Sequence, residues 1–346
     1  MLSKRDEQAL IATANLLVKD NKGLLAMDES TPTCNKRFAA LGIAQTEETR
    51  RRYRELLITT EGLQEYISGA ILYDETIRQN NSSGVSFLQI LSGAGIIPGI
   101  KLDTGAKSMA LHLDEKITEG LDGLRERLAE YSAMGARFAK WRAVISIKLN
   151  AKGQGSLPSR ACIEANTLTL ARYACLCQEA GLVPIVEPEV VMDGDHGLHD
   201  CQETTTEVLQ SLFHQFYRQN VMLEGMILKC NMILPGFNAS ESASLDDVVD
   251  ATVKCLLQTV PAAIPGIAFL SGGQSAELAS ARLNAMNLKF KSTLPWPLTF
   301  SFARALQQPA LEIWQGKESE RLAAQKELLY RAKCNHDACI GSYHER

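Results

Sequence analysis

Short apolar segments recur along the whole chain, and their length and composition are typical of strands buried on both faces. They are spaced about 30 to 45 residues apart, which is the size of one strand–helix unit. The segments are GLLAMD (23–28), GAILYDET (69–76), IPGIKLD (97–103), RFAKWRAVI (137–145), LVPIVEPEVV (182–191), GMILKCNMIL (225–234), GIAFLSGG (266–273) and LTFSFARAL (298–306). The pattern predicts eight strands separated by helices.

Amphipathic helices are predicted between these segments. Apolar residues recur at helical spacing at Leu121, Leu124, Leu128 and Tyr131. Ser244 with Asp247 forms a capping-box pattern, and Gly181 follows a helical segment as a helix-ending glycine. Strands that alternate with helices in this way predict an α/β fold, a closed (β/α)₈ TIM barrel that forms a single domain over residues 1–346. An open doubly wound sheet usually carries a glycine-rich fingerprint after its first strand, whereas this chain has MDES there.

Composition and charge narrow the class of protein. Hydrophobic residues make up 45% of the chain and charged residues 22%, as in ordinary globular proteins, and the net charge is −4 with no basic stripe. These values argue against a nucleic-acid partner. No apolar run approaches the roughly 18 residues of a membrane span, and the N-terminus MLSKRDEQAL does not have the pattern of a signal peptide. The 9 cysteines include no CxxC pair, which predicts reduced thiols and a cytoplasmic protein.

Charged residues interrupt five of the predicted strands. They are Asp28 in the first, Lys101 and Asp103 in the third, Lys140 and Arg142 in the fourth, Glu187 and Glu189 in the fifth, and Lys229 in the sixth. Residues two apart in a strand share a face. Any single one of these charges is as readily explained by a strand end that meets solvent. Five strands with charges at corresponding positions favour a polar site at the mouth of the barrel, where the carboxyl ends of the strands converge.

Lys229 lies in the middle of an apolar strand, where an ammonium group is costly to bury. The pKa of a lysine falls when it is desolvated or placed beside other cations, and Lys140 is a candidate neighbour. A neutral lysine amine can attack a carbonyl to form a Schiff base, whose iminium draws electrons from a neighbouring C–C or C–H bond. Carboxylates nearby would then act as general acid and base.

Phosphate-binding residues are predicted after strands 7 and 8, where this fold often holds phosphate. The segment Ser-Gly-Gly at 271–273 allows close approach of the backbone to an anion, although such a turn is also common without a ligand. Ser301 and Arg304 belong to the last strand. Lys101 and Arg142 could hold a second anion across the mouth. The predicted substrate is a carbonyl compound with one or two phosphates.

Seven motifs together resemble class I fructose-1,6-bisphosphate aldolases. They are LAMDES, GIKLD, FAKWR, VPIVEPE, ILKCNM, FLSGGQS and LTFSFARALQ, which occur in the family's order over nearly the whole chain. LLAMDESTPTCNKRF and ISGAILYDET look closest to the plastid and cyanobacterial branch. The resemblance implies reversible cleavage of fructose 1,6-bisphosphate to dihydroxyacetone phosphate and glyceraldehyde 3-phosphate, in glycolysis, gluconeogenesis or the Calvin cycle.

The resemblance also implies a role for each charged residue. Lys229 would form the Schiff base with the C2 ketone, and Glu187 would be its general acid and base. Asp28 would take the C4 hydroxyl proton as the C3–C4 bond breaks. Lys140 and Glu189 would position and tune Lys229.

The family likewise suggests how the two phosphates are held. The C1 phosphate would contact Ser271, Gly272, Ser301 and Arg304, and the C6 phosphate Lys101, Arg142 and the segment that contains Ser30 and Thr33. The resemblance implies no metal or other cofactor. It also implies a homo-oligomer, usually a tetramer, in a bacterial cytoplasm, or in the plastid stroma if a leader has been removed.

The chain departs from the family pattern at several positions. Thr104 replaces a lysine, Cys230 replaces the proline after the Schiff-base lysine, and Ala303 is an acceptable variant before the arginine of strand 8. The sequence ends in GSYHER, so we expect a short C-terminal extension without the family's terminal tyrosine, which carries a proton to C3. Tyr343 corresponds to an internal tyrosine.

Three alternatives remain open at this stage. A transaldolase-like Schiff-base enzyme would share the barrel, but two phosphate-directed clusters argue against it. A metal-dependent aldolase or hydrolase could use Asp195, His196 and His199 of DGDHGLHD, although a solvated loop is the simpler interpretation. The third alternative is a binding scaffold that has lost catalysis, which a cleavage assay would identify.

Overall fold

Eight parallel strands close into a barrel in the computed structural model, which describes residues 3–150, 155–240 and 242–345. The barrel strands are β1 (Gly23–Ala26), β2 (Ile67–Leu72), β3 (Ile97–Lys101), β4 (Phe138–Ile145), β5 (Val183–Val190), β6 (Ile227–Cys230), β7 (Ile267–Phe269) and β8 (Leu298–Phe302). Each strand pairs with the next one along the chain, and β8 pairs with β1 through Ser301 and Leu24. The predicted single-domain (β/α)₈ barrel is therefore confirmed. Seven of the eight strands lie inside their predicted segments, and β2 begins at Ile67, ahead of the segment predicted over 69–76.

Helices surround the barrel and connect its strands. They are α1 (Lys4–Val18), α2 (Thr31–Ala40), α3 (Glu47–Ile58), α4 (Asp74–Ile77), α5 (Phe87–Gly93), α6 (Leu124–Met134), α7 (Arg160–Glu179), α8 (Leu198–Arg218), α9 (Leu245–Thr259), α10 (Ala276–Phe290), α11 (Arg304–Trp314) and α12 (Arg321–Ile340). Two antiparallel hairpins extend the loops after β3 and β4. One pairs Gly105–Ser108 with Lys116–Glu119, and the other pairs Lys148–Leu149 with Gly155–Leu157.

Local signals set the helix ends. The Ser244 hydroxyl accepts the Asp247 N–H at 3.1 Å, and the Asp247 carboxylate accepts the Ser244 N–H at 3.0 Å, so the predicted capping box is confirmed at the start of α9. Gly181 follows α7 with φ of +73°, as expected for a helix-ending glycine. Helix α6 begins later than the apolar spacing suggested, because Gly123 adopts a left-handed conformation and leaves Leu121 outside.

The barrel interior is apolar at one end and charged at the other. Helix α1 packs Leu10, Ala14 and Leu17 against inward-facing strand residues such as Leu24 and Phe138, which closes the amino-terminal end. The charged strand residues lie nearer the opposite, carboxyl-terminal end. This division places any chemistry at the carboxyl-terminal mouth. In the part of the chain that the structure describes, no helix is both long and apolar enough to cross a bilayer.

Candidate active site

A cavity of about 370 Å³ lies at the carboxyl-terminal mouth of the barrel. The structure brings together around it every residue that the sequence predicted for the site. These are Asp28, Ser30, Thr33, Lys101, Lys140, Arg142, Glu187, Glu189, Lys229, Ser271, Gly272, Ser301 and Arg304. The residues come from seven of the eight strands or from the loops and first helical turns that follow them, so the closed barrel is what makes them neighbours.

Four buried charged groups form a chain at the bottom of the cavity. The Lys229 amine lies 3.0 Å from Oε1 of Glu187, and Oε2 of Glu187 lies 3.1 Å from the Lys140 amine. The Lys140 amine in turn lies 2.6 Å from Oδ2 of Asp28. Each of the four residues is at most 8% exposed. Amines and carboxylates thus alternate along a short buried path from Lys229 to Asp28.

The electrostatic environment keeps Asp28, Glu187 and Lys140 ionised. Burial alone would raise the pKa of Asp28, but Lys140 and Lys229 outweigh it and hold that pKa well below its ordinary value. The same balance of burial against Lys140 and Lys229 lowers the pKa of Glu187. Burial opposes the charge of Lys140, yet Asp28 and Glu187 prevail and raise its pKa. Lys140 is therefore a fixed positive charge beside the Lys229–Glu187 pair.

Glu189 behaves differently from Glu187, although the two share one face of β5. Burial raises the pKa of Glu189, and the charge-assisted hydrogen bond from Arg142 is not sufficient to offset it. The Arg142 guanidinium has a raised pKa, because its carboxylate partners outweigh burial. Two neighbouring glutamates with pKa values pushed in opposite directions form a typical acid–base environment.

Asp103 follows β3 and contacts two of the cationic residues at the mouth of the barrel. Its Oδ1 lies 2.6 Å from the Lys101 amine, and its Oδ2 accepts the Arg142 backbone N–H at 3.3 Å. The alternation of charges had placed Asp103 on the inner face but gave it no role. Both cations assigned to the second anion site are thus already paired with carboxylates, Lys101 with Asp103 and Arg142 with Glu189.

The first predicted anion site has unsatisfied donors. Gly272 and Gly273 adopt φ of +57° and +93°, a conformation that favours glycine. The Ser301 hydroxyl is buried and makes no hydrogen bond to the described residues. Arg304 begins α11, and within the described ranges no carboxylate pairs with its guanidinium. A buried free hydroxyl beside an unpaired guanidinium and a glycine loop is suited to a phosphate.

Arg37 is a cavity residue that the sequence analysis missed. The Ser30 and Thr33 hydroxyls lie 3.1 Å apart at the start of α2, and Arg37 lines the cavity one turn beyond Thr33. Oε1 of Glu29 lies 2.5 Å from Nη1 of Arg37, and Oε2 of Glu29 lies 2.7 Å from Nη1 of the buried Arg54. The four-residue spacing from Thr33 to Arg37 on one helix face was the signal that could have identified this cation.

The residues of the metal alternative do not converge. His196 is fully buried, whereas His199 faces outward on α8, where its Nε2 lies 3.3 Å from Oε1 of Glu203. Across the described ranges, no three His, Cys, Asp or Glu side chains are grouped as a metal site. Tyr343 does not line the cavity, and its backbone N–H donates to the Asn284 side chain on α10 at 2.9 Å. We therefore assign Tyr343 no proton transfer with the buried charged residues that run from Lys229 to Asp28.

Comparisons with known proteins agree with the geometry. The family model described as fructose-bisphosphate aldolase class-I matches residues 9–346. A probable class 1 fructose-bisphosphate aldolase of Xanthomonas campestris pv. campestris is 53% identical over 97% of this chain and 98% of its own length. Cytosolic fructose-bisphosphate aldolase 4 of Arabidopsis thaliana is 47% identical over 96% of this chain and 83% of its own length.

A solved structure gives the same result. The fructose-bisphosphate aldolase of Plasmodium falciparum, determined in complex with TRAP and a small-molecule inhibitor, superposes with a TM-score of 0.96 and is 44% identical. The alignment covers 100% of this chain and 98% of that one. These matches do not show the expected likeness to the plastid and cyanobacterial branch, because the relatives include bacterial and plant cytosolic enzymes at 47–53% identity.

Proposed function

The chain belongs to the class I fructose-bisphosphate aldolases, and we propose that the cavity at the mouth of its barrel carries out the family's reaction. The enzyme cleaves fructose 1,6-bisphosphate reversibly into dihydroxyacetone phosphate and glyceraldehyde 3-phosphate. A Schiff base between a lysine and the substrate ketone is general to class I. The observation that carries the proposal is the contact between the buried Lys229 amine and Glu187, at 3.0 Å.

Lys229 is the proposed nucleophile. Its ammonium gives a proton to Glu187, and the neutral amine attacks C2 of the ketose, which forms a C–N bond and opens the carbonyl to an alkoxide. Glu187 protonates that oxygen to give the carbinolamine and then takes a second proton from the nitrogen. It passes this second proton to the C2 hydroxyl, so the C–O bond breaks, water leaves and the iminium remains. Lys140 takes no part in bond formation in this scheme. Its raised pKa keeps it protonated, and its charge holds Glu187 and Asp28 in place.

Asp28 is the proposed base for cleavage. The C4 hydroxyl passes its proton to the Asp28 carboxylate, the C3–C4 bond breaks, and its electron pair moves into the iminium to give an enamine. The low pKa of Asp28 keeps the carboxylate ionised and able to accept. Glyceraldehyde 3-phosphate leaves first. Glu189 is proposed to position Arg142 through their hydrogen bond.

The two phosphates are proposed to bind at unequal subsites. The C1 phosphate contacts Ser271, Gly272, Ser301 and Arg304, where the donors are free. The C6 phosphate contacts Lys101, Arg142, Ser30 and Thr33, with Arg37 beside them. Because Asp103 and Glu189 already pair with the cations of the second subsite, we expect the C1 subsite to contribute more of the binding free energy.

Membership of the family also supports proposals on assembly and location. We propose a homo-oligomer, a tetramer as in most of the family. Leu111 and Leu113, at the tip of the hairpin after β3, are 104% and 85% exposed and are candidates for an interface. All nine cysteines carry free thiols, which supports a reducing cytoplasm. The placement in the plastid and cyanobacterial branch rests only on the motifs at 24–38 and 67–76.

A coupled assay with fructose 1,6-bisphosphate tests the proposed reaction. Because the iminium polarises the substrate, activity should be the same before and after exhaustive EDTA treatment. Activity that EDTA abolishes and Zn²⁺ restores would support the metal alternative instead. Absence of cleavage in a folded preparation would support the binding scaffold.

A further inference from the structure

Two side chains outside the cavity pack against the glycines of the phosphate loop. Met192 follows β5, and its methyl group occupies the space that a Cβ on Gly272 would need. Phe237 follows β6, and its Cζ lies 2.8 Å from the position of a Cβ on Gly273. Arg304 Nη2 lies 2.9 Å from that same position. The Phe237 ring and the Arg304 guanidinium therefore converge on one glycine, and of the two only Arg304 lines the cavity.

The loops that carry these side chains are fastened to each other by the backbone. The Phe237 N–H donates to the Met192 carbonyl at 2.9 Å, and the Gly236 N–H donates to the His196 carbonyl at 2.9 Å. A Cβ on Gly236 would overlap the Gly194 carbonyl, so the two loops approach as closely as backbones can. Phe237 is consequently held at a defined distance from the phosphate loop, although its ring lies at the surface.

The exposure of Phe237 indicates a purpose other than core packing. The residue is 58% exposed, which leaves much of an apolar ring in water. Arg304 is a long, exposed side chain that, within the described residues, has no carboxylate partner to order it. An arginine of this kind loses rotamer entropy when it binds a phosphate. An aromatic ring that limits the conformations of the arginine side chain before binding reduces that loss of entropy.

We propose that Phe237 is a positioning residue for substrate binding, which orders Arg304 for the C1 phosphate. The inference rests on the proposed function, because it assumes that Arg304 binds this phosphate. Phe237 does not line the cavity, so it acts through Arg304 and not by contact with substrate. Its removal therefore raises KM for any substrate with a C1 phosphate and leaves kcat unchanged.

The test compares Phe237→Ala with the wild-type enzyme. We expect KM for fructose 1,6-bisphosphate and for fructose 1-phosphate to rise about fivefold, the cost of ordering one long side chain. Inhibition by inorganic phosphate should weaken by a similar factor. Phe237→Tyr keeps the ring and should restore wild-type KM. Tyr217→Ala removes an exposed aromatic ring on α8 and is the matched control, which should change neither constant.

A double-mutant cycle separates the inference from the proposed phosphate site. In the Arg304→Ala background, Phe237→Ala should have no further effect on KM. Three outcomes would overturn the role of Phe237 without affecting the proposed phosphate site. In the first, Phe237→Ala raises KM as much in the Arg304→Ala background as in wild type, and in the second it lowers kcat at unchanged KM. The third outcome is that Phe237→Ala has no effect although Arg304→Ala raises KM. Unchanged KM in Arg304→Ala itself would overturn the phosphate site.

Discussion

The carboxylate of Glu187 lies 3.0 Å from the Lys229 amine, and its second oxygen faces a different lysine. One carboxylate thus lies between two lysine amines in different surroundings. Lys140 is further bound to Asp28 and stays charged, whereas Lys229 has only this carboxylate as an ion-pair partner among the described residues. The arrangement gives the proton of Lys229 a place to go and keeps the neighbouring charge constant, as nucleophile activation requires.

Covalent trapping should therefore identify Lys229. We expect borohydride reduction with dihydroxyacetone phosphate to label one lysine, located by peptide mass spectrometry, and Lys229→Met to remove both label and activity. Loss of the covalent route should lower kcat by about 10⁴-fold or more. Lys289→Met, which removes an exposed lysine paired with Asp250, is the control and should retain label and activity. A label on Lys140 or Lys101 would contradict the assignment.

The low pKa of Asp28 predicts a dependence of stability on pH. Burial favours the protonated acid, but the charges of Lys140 and Lys229 prevail. The pKa of Asp28 in the folded protein is therefore below its ordinary value of 3.8. A carboxyl group whose pKa is lower in the folded than in the unfolded state stabilises the folded state at pH values above the unfolded-state pKa. This contribution is lost as the pH falls towards the folded-state pKa. The free energy of unfolding of wild type relative to Asp28→Asn should be constant from pH about 7 to about 5 and decrease below pH about 4.

Urea unfolding of the two proteins at several pH values measures this difference. An exposed control is Asp250→Asn, whose difference from wild type should change little over the same range, because a surface pair with Lys289 contributes little. A wild-type advantage over Asp28→Asn that increases on acidification would show that burial, not the lysines, dominates at Asp28.

The sequence predicted the inward-facing charges well, because strand alternation is local and the closed barrel determines the rest. It was less accurate at strand ends. The apolar run that contains Lys229 was predicted to be a strand over 225–234, but β6 covers only Ile227–Cys230. Met232, Ile233 and Leu234 are buried in the loop that follows. Apolar composition reports burial, and buried loops and buried strands look alike in a sequence.

Long-range pairings were beyond what the sequence pattern could predict. Glu29 binds Arg54, which lies 25 positions away on α3 and is buried, and no periodicity connects the two. The pairing of Arg142 with Glu189 likewise depends on the register between β4 and β5. Alternation had identified both residues as inward-facing, but not that one would neutralise the other.

Glycine at position 99 should be necessary for the packing of the barrel interior. A Cβ there would overlap the buried ring of Phe138 on the neighbouring strand, and the surrounding core leaves that ring little freedom to move. We expect Gly99→Ala to lower the free energy of unfolding by about 1–3 kcal/mol, as overpacking does. Gly93→Ala is the matched control, because nothing lies within 4 Å of the added carbon at the end of α5. Equal stability of the two variants in urea unfolding would contradict this.

The two arginines at the mouth should affect different substrates. Arg304 has no carboxylate partner within the described residues and is assigned to the proposed C1 subsite. Arg304→Ala should therefore weaken binding of fructose 1,6-bisphosphate and fructose 1-phosphate alike, by about 1.5–3 kcal/mol. Arg142→Ala should penalise only the bisphosphate, which alone has a C6 phosphate. Its penalty should also be smaller, because Arg142 gives up part of its interaction with Glu189 to bind substrate.

Steady-state KM values for both substrates decide between these assignments. Arg142→Ala also leaves the Glu189 carboxylate without its partner, so Glu189→Gln in the same background is the necessary control. If the double variant shows the same preference between the two substrates as Arg142→Ala, the preference comes from the lost guanidinium and not from an unpaired glutamate. Equal penalties from Arg304→Ala and Arg142→Ala on both substrates would mean that the two ends of the substrate are not distinguished as proposed. A larger penalty on fructose 1-phosphate from Arg142→Ala would mean that the substrate binds in the reverse orientation.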